Sequence, residues 1–389
     1  VIHFLNRGSG LPRRIGGGRN REFIGISNLI EGTGRAPGRA RAIDVPRRGR
    51  RSLGGRPADR DRLAARALSG ASLSAAPGRA VVIGAGLAGL AAATELEAGG
   101  WEVEVVEARD RVGGRTWSQR LPNGASVEMG AEFILPGNTE VARLAEELGL
   151  DLWQKGMSYG RREPRGGLGT TPKALADGVG AVRDALAADP GNAISARELL
   201  DSLEIESGAR EAILARLEIS AGGAGEVVPA SAMDGLAHID DEPAPSVAGG
   251  NQSLALGLAE RLGGRVRLGD AAVRIAWDED GAEVETASGE RVAAERCVIA
   301  VPASVVGRVA LSPAFPAPVR TALGAIAYGH AAKLFVPLAQ PAPPNAVMNV
   351  PERWWCWTAT QAASEPAPVV SCFAGSPAAL ERLEVEAGP

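Results

Sequence analysis

The chain has 389 residues, 45% of them hydrophobic but only 4% aromatic, and a net charge of −4. That size and apolar content support a large core in one or two domains, and no apolar run reaches the length of a membrane span. Three histidines (His3, His238, His330) and three cysteines (Cys297, Cys356, Cys372) show no metal-ligand or pairing pattern, which argues against a zinc site or a histidine-based triad. The odd cysteine count fits a reducing compartment, so a cytoplasmic location is expected.

Residues 1–78 differ from the rest. They hold 16 arginines against 5 acids, are rich in Gly and Pro, and lack periodicity. This leader is expected to be largely disordered. Its Arg-Gly clusters carry no interleaved aromatics for base stacking, so nucleic-acid binding is not expected. No apolar segment follows Arg50-Arg51, which argues against an export signal. The first residue is Val, which fits an extended start or an internal piece of a longer chain.

The most informative stretch begins at Arg79. A β-branched run, Ala80 to Ile83, leads into Gly84-x-Gly86-x-x-Gly89 and an Ala/Leu-rich helical pattern. A second apolar run, Val103 to Val106, ends on Glu107. Strand, glycine turn, helix and terminal acid in this order form a dinucleotide-binding unit. Gly84 permits the turn, Gly86 lets a pyrophosphate approach the backbone, and Gly89 lets the helix sit close to the sheet. The N–H groups of Leu87, Ala88 and Gly89 open the helix, whose N-terminus favours an anion. Glu107 stands where a carboxylate accepts hydrogen bonds from ribose hydroxyls.

The next residues, Glu107-Ala-Arg-Asp-Arg-Val-Gly-Gly-Arg115, add a second glycine pair that an NAD enzyme does not need. Here the chain resembles the flavin-containing amine oxidase family. The resemblance implies FAD as cofactor and assigns Ala108, Arg109, Gly114 and Arg115 to it, with Arg115 beside the pyrophosphate and Arg111 bracing the loop. Glu128-Met-Gly-Ala-Glu-Phe-Ile134 is similar to the family's segment beneath the flavin ring, which implies roles for Gly130, Ala131, Glu132 and Phe133.

Farther along, helices are expected at Thr139–Leu148, Ser195–Leu203 (capped by Ser195 and Glu198) and Gly208–Ile219. Gly249-Gly250 before an amphipathic helix resembles the family's return to the cofactor domain. Val273, on the Ala271–Trp277 strand, is implied to meet the adenine through its backbone, and Pro302, ending Cys297–Pro302, to lie near the flavin. The turn between the two β-runs is Asp278 to Gly281.

Lysine is rare here: Lys155, Lys173 and Lys333 are the only three among 42 Lys plus Arg. Arginine serves almost everywhere a cation would do, so a retained lysine points to a need for an ammonium. Lys333 lies in His330-Ala-Ala-Lys-Leu-Phe-Val-Pro-Leu, an apolar strand where burying a charge is costly. Unlike arginine, a buried lysine can deprotonate. The resemblance makes Lys333 the catalytic residue, holding a water against flavin N5; a snorkelling edge-strand lysine is the alternative. Trp354, Trp355 and Trp357 cluster, and core packing is preferred to a substrate wall.

The expected fold is α/β: an FAD-binding Rossmann-like domain of the glutathione-reductase type with a second, α+β substrate domain. The expected division is leader 1–78, cofactor domain 79–138 and 246–310, a mainly helical substrate-domain insertion at 139–245, and a substrate-domain sheet segment at 311–389. The family's late flavin-contacting segment has no match: Phe373-Ala-Gly-Ser376 imitates it but is followed by Pro377 and a helix. The expectation is therefore either a chain incomplete at its C-terminus or a separate partner chain supplying that piece, with a homodimer as a further possibility.

The reaction implied is FAD-dependent oxidation of a small-molecule amine to an imine, with O2 reduced to H2O2. Ala131-Glu132-Phe133 lacks the arginine that would pair an amino-acid carboxylate, and Leu135 stands where polyamine oxidases carry an acid or histidine. A monoamine with an apolar body fits best, although Glu132 could serve a polycation. Two alternatives remain: a non-catalytic FAD-binding chain, or a related flavoprotein of the desaturase or protoporphyrinogen oxidase kind.

Overall fold

The structure, a computed structural model, describes residues 2–4, 77–135, 137–158, 160, 162–189, 193–233, 244–361 and 365–383. Its first element is a three-residue edge strand, β1 (Ile2–Phe4). These three residues are the described part of the leader before residue 77; the expectation of a largely disordered leader otherwise lies outside the described residues.

The run Arg79–Ile83 forms β2, followed by α1 (Leu87–Ala98) and β3 (Glu102–Val106). β2 and β3 are parallel, with Ile83 opposite Val106. Parallel strands are covered on both faces, which is why their sequences are almost continuously apolar rather than alternating. One face packs Val82, Val103 and Val105 against Leu90 of α1 and Leu258 farther along the chain. The other packs Val81, Ile83 and Val106 against Ile275, Val284 and Val292.

A hairpin, β4 (Ser118–Arg120) and β5 (Ser126–Glu128), leads to an extended segment at 129–135 and then α2 (Thr139–Glu147). Short strands β6 (Leu152–Trp153) and β7 (Glu163–Arg165) precede α3 (Pro172–Ala188), α4 (Ala196–Ser202) and α5 (Ser207–Ala221). α4 opens on the expected capping box: Ser195 Oγ accepts from Glu198 N at 3.2 Å, and Ser195 N donates to the Glu198 carboxylate at 2.8 Å. α5 is buried along nearly its whole length, and its Ile213 and Leu217 pack on Val179, Val182, Leu199 and Leu200.

β8 (Ser246–Val247) pairs with β6, and α6 (Gln252–Arg261) carries the chain back to the first sheet. There β9 (Val266–Arg267) flanks β3. β10 (Ala272–Trp277), β11 (Ala282–Thr286) and β12 (Arg291–Ala294) form a meander, and β13 (Arg296–Ile299) runs parallel to β2. The two sheets have orders β13-β2-β3-β9 and β12-β11-β10-β14, where β14 is Ala310–Ser312. The meander's first turn is closed by Asp278, whose N–H donates to Gly281 O at 3.0 Å.

After α7 (Ala303–Val306) and α8 (Ala317–Ala325) come β15 (Ala332–Pro337), β16 (Asn345–Asn349), β17 (Trp354–Thr358), β18 (Val369–Ala374) and α9 (Pro377–Arg382). They build a six-stranded sheet of order β1-β15-β18-β17-β16-β7. Lys333 and Phe335 share one face of β15. Phe335 packs there against Leu121, Val127 and Met129 from the β4–β5 region. The large sheet is thus seated on the segment that leaves the nucleotide-type module.

One expectation needs correction. Cys356 and Cys372 are not unpaired: they are direct cross-strand partners on β17 and β18 and form a disulfide. Sheet register, not sequence spacing, brings them together. The pairing also removes the cysteine argument for a reducing compartment. Cys297 is the free cysteine among the described residues, where also no helix is long and apolar enough to cross a membrane.

α1 lies so close to the turn after β2 that a Cβ at Gly89 would overlap the carbonyl oxygen of Gly84. That clash is with backbone and cannot be relieved by a rotamer. Gly89→Ala is expected to destabilise the chain by about 1–3 kcal/mol or more, read as a lower denaturant midpoint; an unchanged midpoint would refute the close approach.

Candidate active site

Gly84 leaves β2 with φ +104°, a conformation natural to glycine. Its N–H donates to Val106 O at 2.8 Å, so the tips of β2 and β3 are joined at the turn. Gly86 caps α1 in an extended conformation, without a side-chain cap and with no acid in the first turn. The first N–H groups of α1, at Leu87, Ala88 and Gly89, therefore keep the positive end of the helix free of a protein anion. A Cβ on Gly86 would meet nothing closer than Gly114 Cα at 4.0 Å, so the space before this residue is open.

Glu107 is nearly buried at the end of β3. Its carboxylate accepts from Ala85 N at 2.7 Å and from Arg109 N at 2.9 Å. Two of the roughly four lone-pair positions of a carboxylate are thereby used, leaving the others for hydroxyl donors. Gly113 N donates to Ala85 O at 2.9 Å, which lays the second glycine pair against the first. Arg111 donates to Gly114 O at 3.1 Å and stacks over Trp117 at 4.5 Å, as a loop brace should. Arg109 also donates to Gly114 O, at 3.2 Å, while Ala108 is exposed. Arg115 is exposed, and its guanidinium has no hydrogen-bond or ion-pair partner among the described residues. Open space, an uncapped helix start, a free guanidinium and a carboxylate with spare acceptors are together what a dinucleotide requires.

The segment 129–134 runs beside Arg115. Met129 N donates to Trp117 O at 2.7 Å and Ala131 N to Arg115 O at 3.0 Å. A Cβ on Gly130 would overlap Arg115 O, so only glycine allows this contact. Pro302 caps α7 just past Ala300, whose N–H donates to Ile83 O at 2.9 Å, so it too lies at the tip of β2. Val273 is exposed, and the pairing of β10 with β11 skips it between Ala272 and Arg274. Just before it, Asp270 N donates to Glu107 O at 3.0 Å, which ties this strand to the acid at the tip of β3.

Lys333 is 4% exposed. It does not snorkel from an edge, since β15 is flanked by β1 and β18. Its ammonium donates to Glu128 O at 2.8 Å, Gly130 O at 2.9 Å and the Glu132 carboxylate at 3.1 Å. These three acceptors match the three N–H donors of the group. The other carboxylate oxygen of Glu132 faces Lys155 Nζ at 3.2 Å and accepts from the Trp357 indole N–H at 3.1 Å. Burial pushes the Glu132 carboxyl up, but the ammonium groups of Lys155 and Lys333 and the two hydrogen bonds outweigh it and hold the group below its ordinary value. The reading from sequence found Lys333 and Glu132 but not Lys155; the scarcity of lysine pointed to it, yet no local pattern tied it to Glu132.

Phe133 packs on Trp355 and Trp357, whose rings stack at 4.0 Å. Both tryptophans are buried against Ala212, Ala215 and Ile219, in the core as preferred.

Glu128 stands apart from its neighbour Glu132. Burial pushes its carboxyl up to about 7, against hydrogen bonds from Asn251 N and Ser118 Oγ, with the Glu132 charge adding to the rise. The unfolded carboxyl titrates near the ordinary 4.5, so between these values the folded chain keeps a proton that the unfolded chain has released. Stability supplied by this proton falls as pH rises through that window, by about 3 kcal/mol in all. Glu128→Gln is expected to remove most of that dependence. Denaturant unfolding of the two proteins at pH 5 and pH 8 checks it, and a wild-type chain no more pH-sensitive than the variant would refute it.

Comparison with known proteins gives the family. The model of the flavin containing amine oxidoreductases matches residues 87–382. A putrescine oxidase of Kocuria rosea is 34% identical over 286 residues, 61% of this chain and 59% of that protein. Amine oxidase (flavin-containing) B of Homo sapiens is 41% identical over 95 residues, 22% of this chain and 18% of that one. The chain thus spans about three fifths of the length of the Kocuria protein. Wild-type putrescine oxidase bound to putrescine superposes with a TM-score of 0.68 at 23% identity, covering 80% of this chain and 79% of that one. Cyclohexylamine oxidase from Brevibacterium oxydans gives 0.64 at 21%, covering 79% and 77%. At those identities the superpositions establish the α/β fold. On the family match, the chain belongs to the flavin containing amine oxidoreductases, with FAD as its cofactor.

Proposed function

We propose that this chain holds FAD along the line from Gly84 to Lys333 and oxidises an amine to an imine. One observation carries the reading. An unbroken series of contacts, Gly113 N to Ala85 O, Ala131 N to Arg115 O and Lys333 Nζ to Gly130 O, joins the dinucleotide turn to the buried ammonium. A flavin adenine dinucleotide is an elongated ligand and needs such a path.

In this reading the helix start at Leu87, Ala88 and Gly89, with Gly86, Gly114 and Arg115, receives the pyrophosphate. Glu107 takes the ribose hydroxyls, with Gly84, Ala108 and Arg109 shaping the turn around it. The backbone of Val273, skipped by its ladder, meets the adenine. Gly130, Ala131, Glu132, Phe133 and Pro302 surround the ring. When bound, FAD supplies a two-electron acceptor: a hydride equivalent leaves the carbon beside the amine nitrogen, and dioxygen takes the electrons on as hydrogen peroxide. The protein's task is to exclude water and keep the amine neutral, because an ammonium has no lone pair to support the forming imine. Lys333 is the catalytic residue of the proposal. All three of its N–H groups are engaged by protein acceptors, so a held water shares one of these N–H groups with its protein acceptor.

The proposed substrate is a monoamine with an apolar body. Glu132 is occupied by two ammonium groups and an indole N–H, which leaves it unsuited to the second charge of a polyamine.

Visible spectra of the purified chain with FAD, and peroxide release on a panel of amines, test the reading. A protein that stays colourless with added FAD would overturn it. Gly86→Ala is expected to fold normally and to weaken FAD binding by roughly tenfold or more, since the new methyl occupies the pyrophosphate's approach. Lys333→Met is expected to slow anaerobic flavin reduction by about a hundredfold, measured by stopped-flow absorbance; an unchanged rate would remove Lys333 from catalysis.

A further inference from the structure

Two of the three lysines in this arginine-based chain meet on one carboxylate. Lys155 comes from the loop after β6, Lys333 from β15, and Glu132 from the segment after β5; the side chains are 15%, 5% and 5% exposed. Glu132 is fixed at its backbone as well. Its carbonyl accepts from Asn251 Nδ2 at 2.9 Å and from Ser246 Oγ. Lys155 is fixed likewise, its carbonyl accepting from Thr360 N at 2.8 Å. Three parts of the chain, each pinned by its own hydrogen bonds, thus deliver two positive charges and one negative into a largely buried place. A merely structural ion pair needs one cation for one anion. The second ammonium leaves the group with a net positive charge, next to the segment assigned to the flavin ring.

We propose that Glu132 is a positioning residue that holds the Lys333 ammonium on the Glu128 and Gly130 carbonyls, and that Lys155, by sharing Glu132, keeps the cluster cationic. The proposal rests on the flavin-site reading above for its use in catalysis, but its geometry is testable without it. Glu132 acts on Lys333, and Lys155 acts on Lys333 through Glu132. Lys155 therefore opposes the grip of Glu132: with Lys155 present, the carboxylate divides its charge between two partners.

Lysine reactivity reads this directly. Only the unprotonated amine reacts with an acylating reagent, and mass spectrometry of the full chain has just three lysines to resolve. Lys173, exposed and paired only with Asp177, is the internal standard. Relative to it, Lys333 in Glu132→Gln is expected to react about tenfold faster than in the wild type, because the carboxylate that favours its ammonium is gone. In Lys155→Gln it is expected to react several-fold slower, because Glu132 then serves Lys333 alone. A purely structural role predicts the same sign in both variants, since loosening the cluster exposes Lys333 either way. Equal or same-sign changes overturn the proposal. If Glu132→Gln does not fold, the slowing in Lys155→Gln carries the test, and its absence is decisive.

The catalytic use is read separately on the FAD-loaded protein. Both variants are expected to lower kcat for amine-driven flavin reduction with KM little changed, and to shift the visible flavin spectrum. Opposite-sign labelling with an unaltered kcat and spectrum overturns the catalytic part. A wild type that binds no FAD, with opposite-sign labelling intact, overturns the flavin-site reading and leaves the clamp.

Discussion

The constraint on which the site depends is the burial of the Lys333 ammonium on two backbone carbonyls and one carboxylate. Removing a lysine and a glutamate from water costs several kcal/mol for each ion, and their attraction offsets this only when the remaining donors and acceptors are also satisfied. Here they are: each ammonium proton has an acceptor, and both carboxylate oxygens have donors. Such a group tolerates little displacement, because losing one partner strands a charge in a low-dielectric interior. The carbonyls that accept from Lys333 belong to the segment running beside Arg115. This interaction, together with the packing of Phe335, ties the large sheet to the segment that leaves the nucleotide-type module.

Close backbone approach does the rest. Gly89 brings α1 onto the turn after β2, and Gly130 brings the extended segment onto Arg115. In each case a methyl group would meet a carbonyl oxygen. The helix start, the second glycine pair and the extended segment are consequently in register without a side chain between them, and the surface they share stays open for a ligand's backbone contacts. The arginines divide their work by the same logic. Arg111 and Arg109 are spent on loop carbonyls, and Arg115 alone of the three is left without a partner among the described residues.

What was legible in the sequence was local. The strand, turn, helix and acid between Arg79 and Glu107 lie within thirty residues, and each part has a residue type that only its own geometry explains. Lys333 was legible for a different reason, since a cation on an apolar strand of a chain that prefers arginine needs an explanation. Lys155 and the Cys356–Cys372 pair were not legible, because both depend on long-range placement. Nothing near Lys155 indicates that its loop folds back over Glu132, and nothing in the spacing of the cysteines says that β17 and β18 are neighbours in that register. The tryptophans fall between these cases: their alternation on β17 buries Trp355 and Trp357, but which neighbours cover them is set by α5.

The charges around Lys333 also bear on what the site accepts. Glu132 is the nearest carboxylate and is already bridged by two ammonium groups. Glu128, its carboxyl pushed up to about 7 by burial, accepts from Asn251 N and Ser118 Oγ. Both carboxylates are engaged by donors, and around Glu132 two ammonium groups meet one carboxylate. Under the proposed function, a second ammonium on a substrate would approach net positive charge in a medium that screens it poorly, whereas a neutral amine on an apolar body would meet no such barrier. Under the proposed function, selection against dications and support for the reaction would both come from this one arrangement of two scarce lysines around a single glutamate.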